Sequence, residues 1–184
     1  MFKGLIIGYL PWVVFFALAG HGPDQLQAGI LLSLVLLLLT GISAIMRGFL
    51  LSWVTLLFFT VQLIGVVWLQ NDWMMDNILI ISHTTLACMG GVSFFIGIPF
   101  TLPYAKEATT RNQWRKTAFF RINRKVSLAW MSTFIFSSCA AFFQLYRFSP
   151  DWLYTAINSL TVVLATSFTI YLPKRFYYKK SLDK

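Results

Sequence analysis

Six long apolar runs alternate with short polar segments along the 184-residue chain. Most of the runs have close to the roughly 20 residues that an α-helix needs to cross the hydrocarbon core of a bilayer. No strand-like alternation of apolar and polar positions separates them. The pattern therefore predicts an all-α, polytopic membrane protein with about six transmembrane helices in a single transmembrane domain, 1–184. The predicted spans are residues 5–20, 28–46, 49–69, 78–102, 126–143 and 152–172.

The first run is the shortest and contains Pro11. A lysine precedes it, as in a signal peptide, but it ends in the helix-stopping sequence GHGP at 20–23 and not in a small-residue cleavage site. We therefore expect a retained helix. Pro11 is expected either to kink this helix or to mark its start after a re-entrant stretch at 5–10. Pro173 is expected to end the sixth span.

Composition and charge support the membrane assignment and orient the chain. Hydrophobic residues make up 58% and charged residues 11% of the sequence, whereas soluble domains average about 45–50% and about 25%. Of the 15 basic residues, 14 fall on one predicted side: one before the first run, one between the second and third, seven between the fourth and fifth, and five in the tail. Because cytoplasmic segments carry the excess of lysine and arginine, we expect both termini in the cytoplasm.

The longest polar connection, 104–125, lies between the fourth and fifth runs. Trp114, Ala118 and Ile122 recur in it at helical spacing, with basic residues between them. This pattern favours an interfacial helix on the cytoplasmic face, with cations at anionic lipid head groups; an ordinary basic loop and a docking site for a partner protein are the alternatives. The residues predicted to contact lipid or a partner are Arg111, Trp114, Arg115, Lys116, Arg121, Arg124 and Lys125. Nucleic acid is not expected, because no recognition motif accompanies the charge.

Polar side chains inside the runs are the other candidate functional residues. His83 is the only histidine within a run and could act as a proton relay, a haem ligand or an ion site. Its alternative role is a hydrogen bond to a neighbouring helix. Gln62 and Asn158 could line a polar path, although close helix packing is the simpler explanation of such residues. No Asp or Glu lies within a run, which argues against an ion-coupled transporter.

Catalysis and metal binding find no support in the sequence. It has no nucleophile–base pair, phosphate-binding loop, dinucleotide fingerprint or metal-ligand spacing. Cys88 and Cys139 lie within apolar runs, where we expect them as buried small hydrophobic residues. We therefore expect a non-enzymatic protein without a cofactor.

Short motifs recur in a recognisable order along the chain. They are the sequence YLPWVVFF at 9–16, the polar turn ND at 71–72, and Trp114 and Asn123 before the AW pair at 129–130. With the final proline and basic tail, they resemble the bacterial intracellular septation protein A family. The resemblance implies a small protein of the bacterial inner (plasma) membrane, with a role in envelope maintenance and septum formation. It implies action by association with division and wall-synthesis proteins, and it carries over no catalytic residue.

Three functional hypotheses follow. The leading one is a non-enzymatic inner-membrane protein that acts through membrane lipids and through contacts with other inner-membrane proteins or with itself. The second is a small oligomeric transporter or channel for an uncharged or anionic solute. The third is a haem- or quinone-associated membrane subunit that uses His83.

Overall fold

The computed structural model of the chain describes the backbone of residues 2–148 and 150–182, and the side chains of residues 4–148, 150 and 152–173. These residues form helices and their connections, without a strand, which confirms the predicted all-α class. The helices are α1 Phe2–Leu18, α2 Pro23–Met46, α3 Leu50–Gln62 with a π-helical continuation Leu63–Trp68, α4 Asp72–Asp76, α5 Ile78–Phe95, α6 Leu102–Glu107, α7 Arg111–Trp114, α8 Thr117–Leu145 and α9 Asp151–Leu182.

Several helices have the length and composition of a multi-pass membrane protein. Among the described residues, five are long and apolar enough to cross a membrane: Pro23–Met46, Leu50–Trp68, Ile78–Phe95, Thr117–Leu145 and Trp152–Pro173. α1 is apolar but has 17 residues, which extend about 26 Å against a hydrocarbon core of roughly 30 Å. The count of basic residues on each side of the membrane included Lys3 and the tail after Pro173. The side chains of these residues lie outside the described part of the chain.

One face of the short first helix lies in the interior of the bundle. α1 packs against α2 and also contacts α3 and α6, while its aromatic rings reach α5 and α8. One face of α1 therefore meets most of the other long helices, because its buried residues repeat every three or four positions. These buried residues are Leu5, Gly8, Tyr9, Pro11, Trp12 and Phe15.

Trp12 joins α1 to α3. Its indole Nε1 donates a 2.8 Å hydrogen bond to Thr55 Oγ1, and its ring centroid lies 4.7 Å from that of Phe58. On the same face of α1, Tyr9 packs against α8, with its ring centroid 5.3 Å from that of Trp130. Aromatic rings thus fill much of the bundle interior, and the indole of Trp12 finds a hydrogen-bond partner on a neighbouring helix.

α8 packs between α5 and α9. Gly90 of α5 lies so close to α8 that a Cβ atom there would be 3.1 Å from Cβ of Met131. Towards α9, Trp130 Nε1 donates a 3.0 Å hydrogen bond to Thr169 Oγ1. Small residues that let backbones approach, together with interhelical hydrogen bonds, are the usual means of helix association in a bilayer.

The end of α5 differs from the predicted boundary at residue 102. The helix stops at Phe95, because Gly97 adopts a left-handed conformation with φ +81°. Ile98 then donates a 3.1 Å backbone hydrogen bond to the carbonyl of Ser93, and the Ser93 hydroxyl donates back to the Ile98 carbonyl at 2.7 Å. This is the geometry of a glycine-terminated helix.

Both prolines lie inside helices. Pro11 lies inside a continuous α1, so no re-entrant stretch precedes it in residues 2–10, and the predicted kink stays a prediction. The prediction that Pro173 ends the sixth span was wrong, because α9 continues through it to Leu182. A proline removes one backbone donor, and a helix can continue past it. The cysteine prediction was also wrong, because Cys88 and Cys139 are both exposed on the outside of the bundle.

We predict that Gly90→Ala destabilises the protein by about 1–3 kcal/mol, the usual cost of overpacking a tight contact. The added methyl group would press on Cα and Cβ of Met131. Gly91→Ala is the matched control, because nothing lies within 4 Å of its added Cβ, and alanine favours helix by about 1 kcal/mol over glycine. Thermal unfolding of both variants in detergent measures the difference; equal melting temperatures would contradict the close α5–α8 contact.

Candidate interaction surface and buried polar sites

The chain re-enters one end of the bundle between α5 and α7, through a segment we call the return segment, residues 96–107. Tyr104 inserts between α1 and α3: its ring centroid lies 4.9 Å from that of Phe49, and its hydroxyl lies 3.5 Å from Ser52 Oγ. Gly8 of α1 makes room for it, since a Cβ there would be 2.9 Å from Tyr104 Oη. The buried residues of the return segment are Pro99, Phe100, Thr101, Tyr104 and Ala105.

Thr101 attaches the return segment to α8. Its Oγ1 lies 2.8 Å from Ser127 Oγ, and it donates a 3.2 Å hydrogen bond to the carbonyl of Asn123. Asn123 in turn donates a 2.8 Å hydrogen bond from Nδ2 to the carbonyl of Phe119. The first turns of α8 are therefore held against the bundle by buried polar contacts as well as by apolar ones.

An ion pair closes the same end of the bundle. Arg47, in the connection between α2 and α3, pairs with Glu107 at the end of α6. The Arg47 guanidinium also lies 5.1 Å from the centroid of the Phe49 ring. Glu107 is the only acidic residue between 77 and 150, so its pairing with Arg47 leaves the cations of the following segment without a local countercharge.

The seven residues predicted to contact lipid or a partner lie together on the outside of this end. Their side chains are exposed, whereas Phe119, Ile122 and Val126 are buried on the inner side of α8. The cations therefore project away from the bundle over the first turns of α8. We call this set the basic surface: Arg111, Trp114, Arg115, Lys116, Arg121, Arg124 and Lys125.

Trp114 does not share a helical stripe with Ala118 and Ile122, contrary to the spacing argument. α7 ends at Trp114, and α8 begins at Thr117 after the extended backbone of Lys116, so the stripe is broken. Trp114 instead donates a 3.2 Å hydrogen bond from Nε1 to Thr109 Oγ1. The apolar face of this part of α8 begins at Phe119, three residues before Ile122.

His83 is buried between three helices. Its Nε2 lies 2.9 Å from the hydroxyl of Tyr154 on α9, and its ring stacks on Phe16 of α1 with centroids 4.5 Å apart and planes 9° apart. Among the described residues, His83 Nδ1 has no hydrogen-bond partner. The arrangement agrees with a histidine that bonds a neighbouring helix.

The other two predicted intramembrane residues lie in different surroundings. Asn158 of α9 accepts a 2.9 Å hydrogen bond at Oδ1 from Ser137 Oγ of α8, which is an interhelical packing contact. Gln62 is buried where α3 passes into its π-helical continuation, and its Oε1 has no hydrogen-bond partner in the described part of the chain. π-helical turns often occur at functional sites. The structure thus links His83 to Tyr154, and Asn158 to Ser137. Among the described residues, no hydrogen bond connects His83, Gln62 and Asn158 with one another.

The structure adds residues that the sequence reasoning missed. Tyr154 was not foreseen as the partner of His83, because the two are 71 positions apart and no local signal connects them. Thr101 and Tyr104 were missed although a signal existed. Apolar and small residues at 100, 101, 104 and 105 have helical spacing on both sides of Pro103, which is typical of a short buried helix.

Comparisons with protein-family models, with curated proteins and with solved structures find no match to this chain.

We predict that Tyr154→Phe lowers the free energy of unfolding by about 0.6–1.7 kcal/mol, the range measured for interhelical hydrogen bonds in membrane proteins. The substitution removes the hydroxyl beside His83 and keeps the ring. Tyr146→Phe is the control, because Tyr146 is exposed. Denaturant unfolding in mixed micelles compares the two; an effect of Tyr154→Phe no larger than the control would show that the contact contributes nothing to stability.

Proposed function

We propose that the chain is a non-enzymatic, six-span protein of a bacterial inner membrane, with both termini in the cytoplasm. It acts by associating with envelope or cell-division membrane proteins and with anionic lipid head groups. The basic surface is the site of this association. Its exposed cations attract anionic partners, while the return segment supports it from within the bundle.

One observation carries the proposal: three cations of the basic surface, Arg121, Arg124 and Lys125, lie on the same helix that packs into the membrane bundle. α8 has 29 residues and extends about 44 Å, which exceeds the roughly 30 Å hydrocarbon core. Its first turns can therefore lie beyond the core while the same unbroken helix packs on α5 and α9. A partner bound at the cations would be held in a fixed position relative to the spans.

The position of α1 supports the sixth span. Its buried face contacts helices that are long enough to cross a membrane, so α1 shares their depth along the bundle. Its short length can be met by local thinning of the bilayer at modest cost. Six spans also agree with the charge count, since they leave 14 of the 15 basic residues on one side.

The resemblance to the septation protein A family supports envelope and division proteins as the partners. The motif at 9–16 on which it partly rests supplies buried residues of α1, including Tyr9, Trp12 and Phe15. If this chain and that family share the motif, they share residues that fill the interior of the bundle. The partner-binding residues would then lie elsewhere, on the exposed cytoplasmic end.

A transporter or channel is the second candidate, and the buried polar atoms without partners favour it. Gln62 Oε1 and His83 Nδ1 are such atoms among the described residues. A polar solute path would use them. In proteoliposomes, His83→Ala and Gln62→Leu would then each abolish solute flux, whereas a protein acting by association would tolerate both.

The test of the proposal is affinity purification of the full chain from bacterial inner membranes in a mild detergent. We expect envelope or division proteins to co-purify with the wild-type chain. We expect their recovery to fall roughly fivefold or more when Arg111, Arg115 and Arg121 are changed to Gln, if each lost contact contributes up to about 1 kcal/mol. The absorbance spectrum of the same preparation tests the haem hypothesis, which a colourless protein would exclude.

The matched control changes the same three arginines to lysine. This variant keeps the charge that the proposal requires and should keep the partners. A reporter at the C-terminus must show unchanged orientation in both variants, since cytoplasmic cations also set topology. Recovery of no specific partner by the wild-type chain, or equal recovery by the Gln and wild-type chains, would contradict the proposal.

A further inference from the structure

A second surface feature lies at the end of the bundle opposite the basic surface. There a cavity of about 370 Å³ opens between the start of α5 and the end of α8. Its volume falls within the roughly 300–1,000 Å³ of small-molecule sites. Its apolar wall includes Leu79, Ile80 and Ala141, which belong to the cluster that also buries Tyr154.

Two opposite charges line the mouth of this cavity. Asp76 stands just before α5, and Arg147 stands just after α8. Both side chains are exposed, and in the described part of the chain the one salt bridge joins Arg47 to Glu107, so Asp76 and Arg147 do not pair with each other. A ligand that carries both charges would complement the two sites together, whereas a simple anion or cation would meet one attraction and one repulsion.

The surroundings of the cavity place it at head-group depth. Large aromatic side chains are exposed around this end of the bundle: Trp73, Tyr146, Phe148 and Trp152. Such residues favour the boundary between hydrocarbon and water. A ligand seated at Asp76 and Arg147 would therefore lie among lipid head groups, with apolar protein surface below it.

We propose that this cavity binds a zwitterionic ligand in which an ammonium and a phosphate are joined by a short chain, the chemistry of the phosphatidylethanolamine head group. The ammonium donates to the Asp76 carboxylate. The phosphate accepts hydrogen bonds from the Arg147 guanidinium, whose planar fork matches phosphate oxygens. The acyl chains of a lipid would run along the apolar wall. This inference is independent of the basic surface, because it concerns the other end of the molecule.

The test uses the purified, delipidated full chain and native mass spectrometry. Phosphatidylethanolamine and phosphatidylglycerol are the lipid probes, because the second has the phosphate without the ammonium. We expect adducts of phosphatidylethanolamine to exceed those of phosphatidylglycerol by roughly fivefold, the effect of one added, partly exposed ion pair. Asp76→Asn should remove this preference, and Arg147→Gln should weaken both adducts.

Asp72→Asn is the matched control, because Asp72 is exposed in the same connection and does not line the cavity. Thermal unfolding checks that each variant is folded. Soluble O-phosphoethanolamine distinguishes a free head group from a whole lipid as the ligand. If it displaces phosphatidylethanolamine, the phosphoethanolamine group alone is sufficient for binding. If it does not, binding requires the intact lipid with its acyl chains. Equal binding of the two lipids by the wild-type chain, or an unchanged preference in a folded Asp76→Asn variant, would overturn the proposal.

Discussion

The packing of the α1 aromatic face against its neighbours is the constraint on which the rest of the bundle depends. Trp12 is fully buried and bonds Thr55 of α3, Tyr9 meets Trp130 of α8, and Phe16 stacks on His83 of α5. α1 thus links the group formed with α2 and α3 to the group formed by α5, α8 and α9. This helix, which is shorter than the roughly 20 residues of a typical span, joins the two groups together with the direct contact between α3 and α5.

This arrangement follows from the weak forces available in a bilayer. Lipid tails are as apolar as leucine, so burial of apolar surface against another helix gains little, and close packing and hydrogen bonds must hold the helices together. The Gly90 contact with Met131 and the Thr101 contact with Ser127 are examples. These packing contacts fill the interior of the bundle, and the exposed charged residues are concentrated on the connections between helices. The two candidate binding surfaces therefore lie at the ends of the bundle.

Much of the fold could be predicted from the sequence, because span length and apolar content are set locally. Five of the six predicted spans coincide with helices that are long and apolar enough to cross a membrane. Local sequence rules were less successful at helix boundaries. Pro173 lies within α9, and α8 begins at Thr117, before the predicted fifth span, with Phe119 and Ile122 buried against the bundle. At the candidate sites, the exposure of the basic residues could be predicted from their charge. The partner of His83 and the cavity lined by Asp76 and Arg147 could not, because both are formed by segments that are far apart in the sequence.

The central claim, that α1 organises the bundle, is tested most directly by the stability of Trp12→Ala against Val13→Ala. Trp12 is 0% exposed, and its neighbour Val13 is 51% exposed. Unfolding in mixed micelles should show a loss of about 3–5 kcal/mol for Trp12→Ala, the usual cost of truncating a buried aromatic residue, and little change for Val13→Ala. Similar stabilities of the two variants would contradict the account, because α1 would then be peripheral.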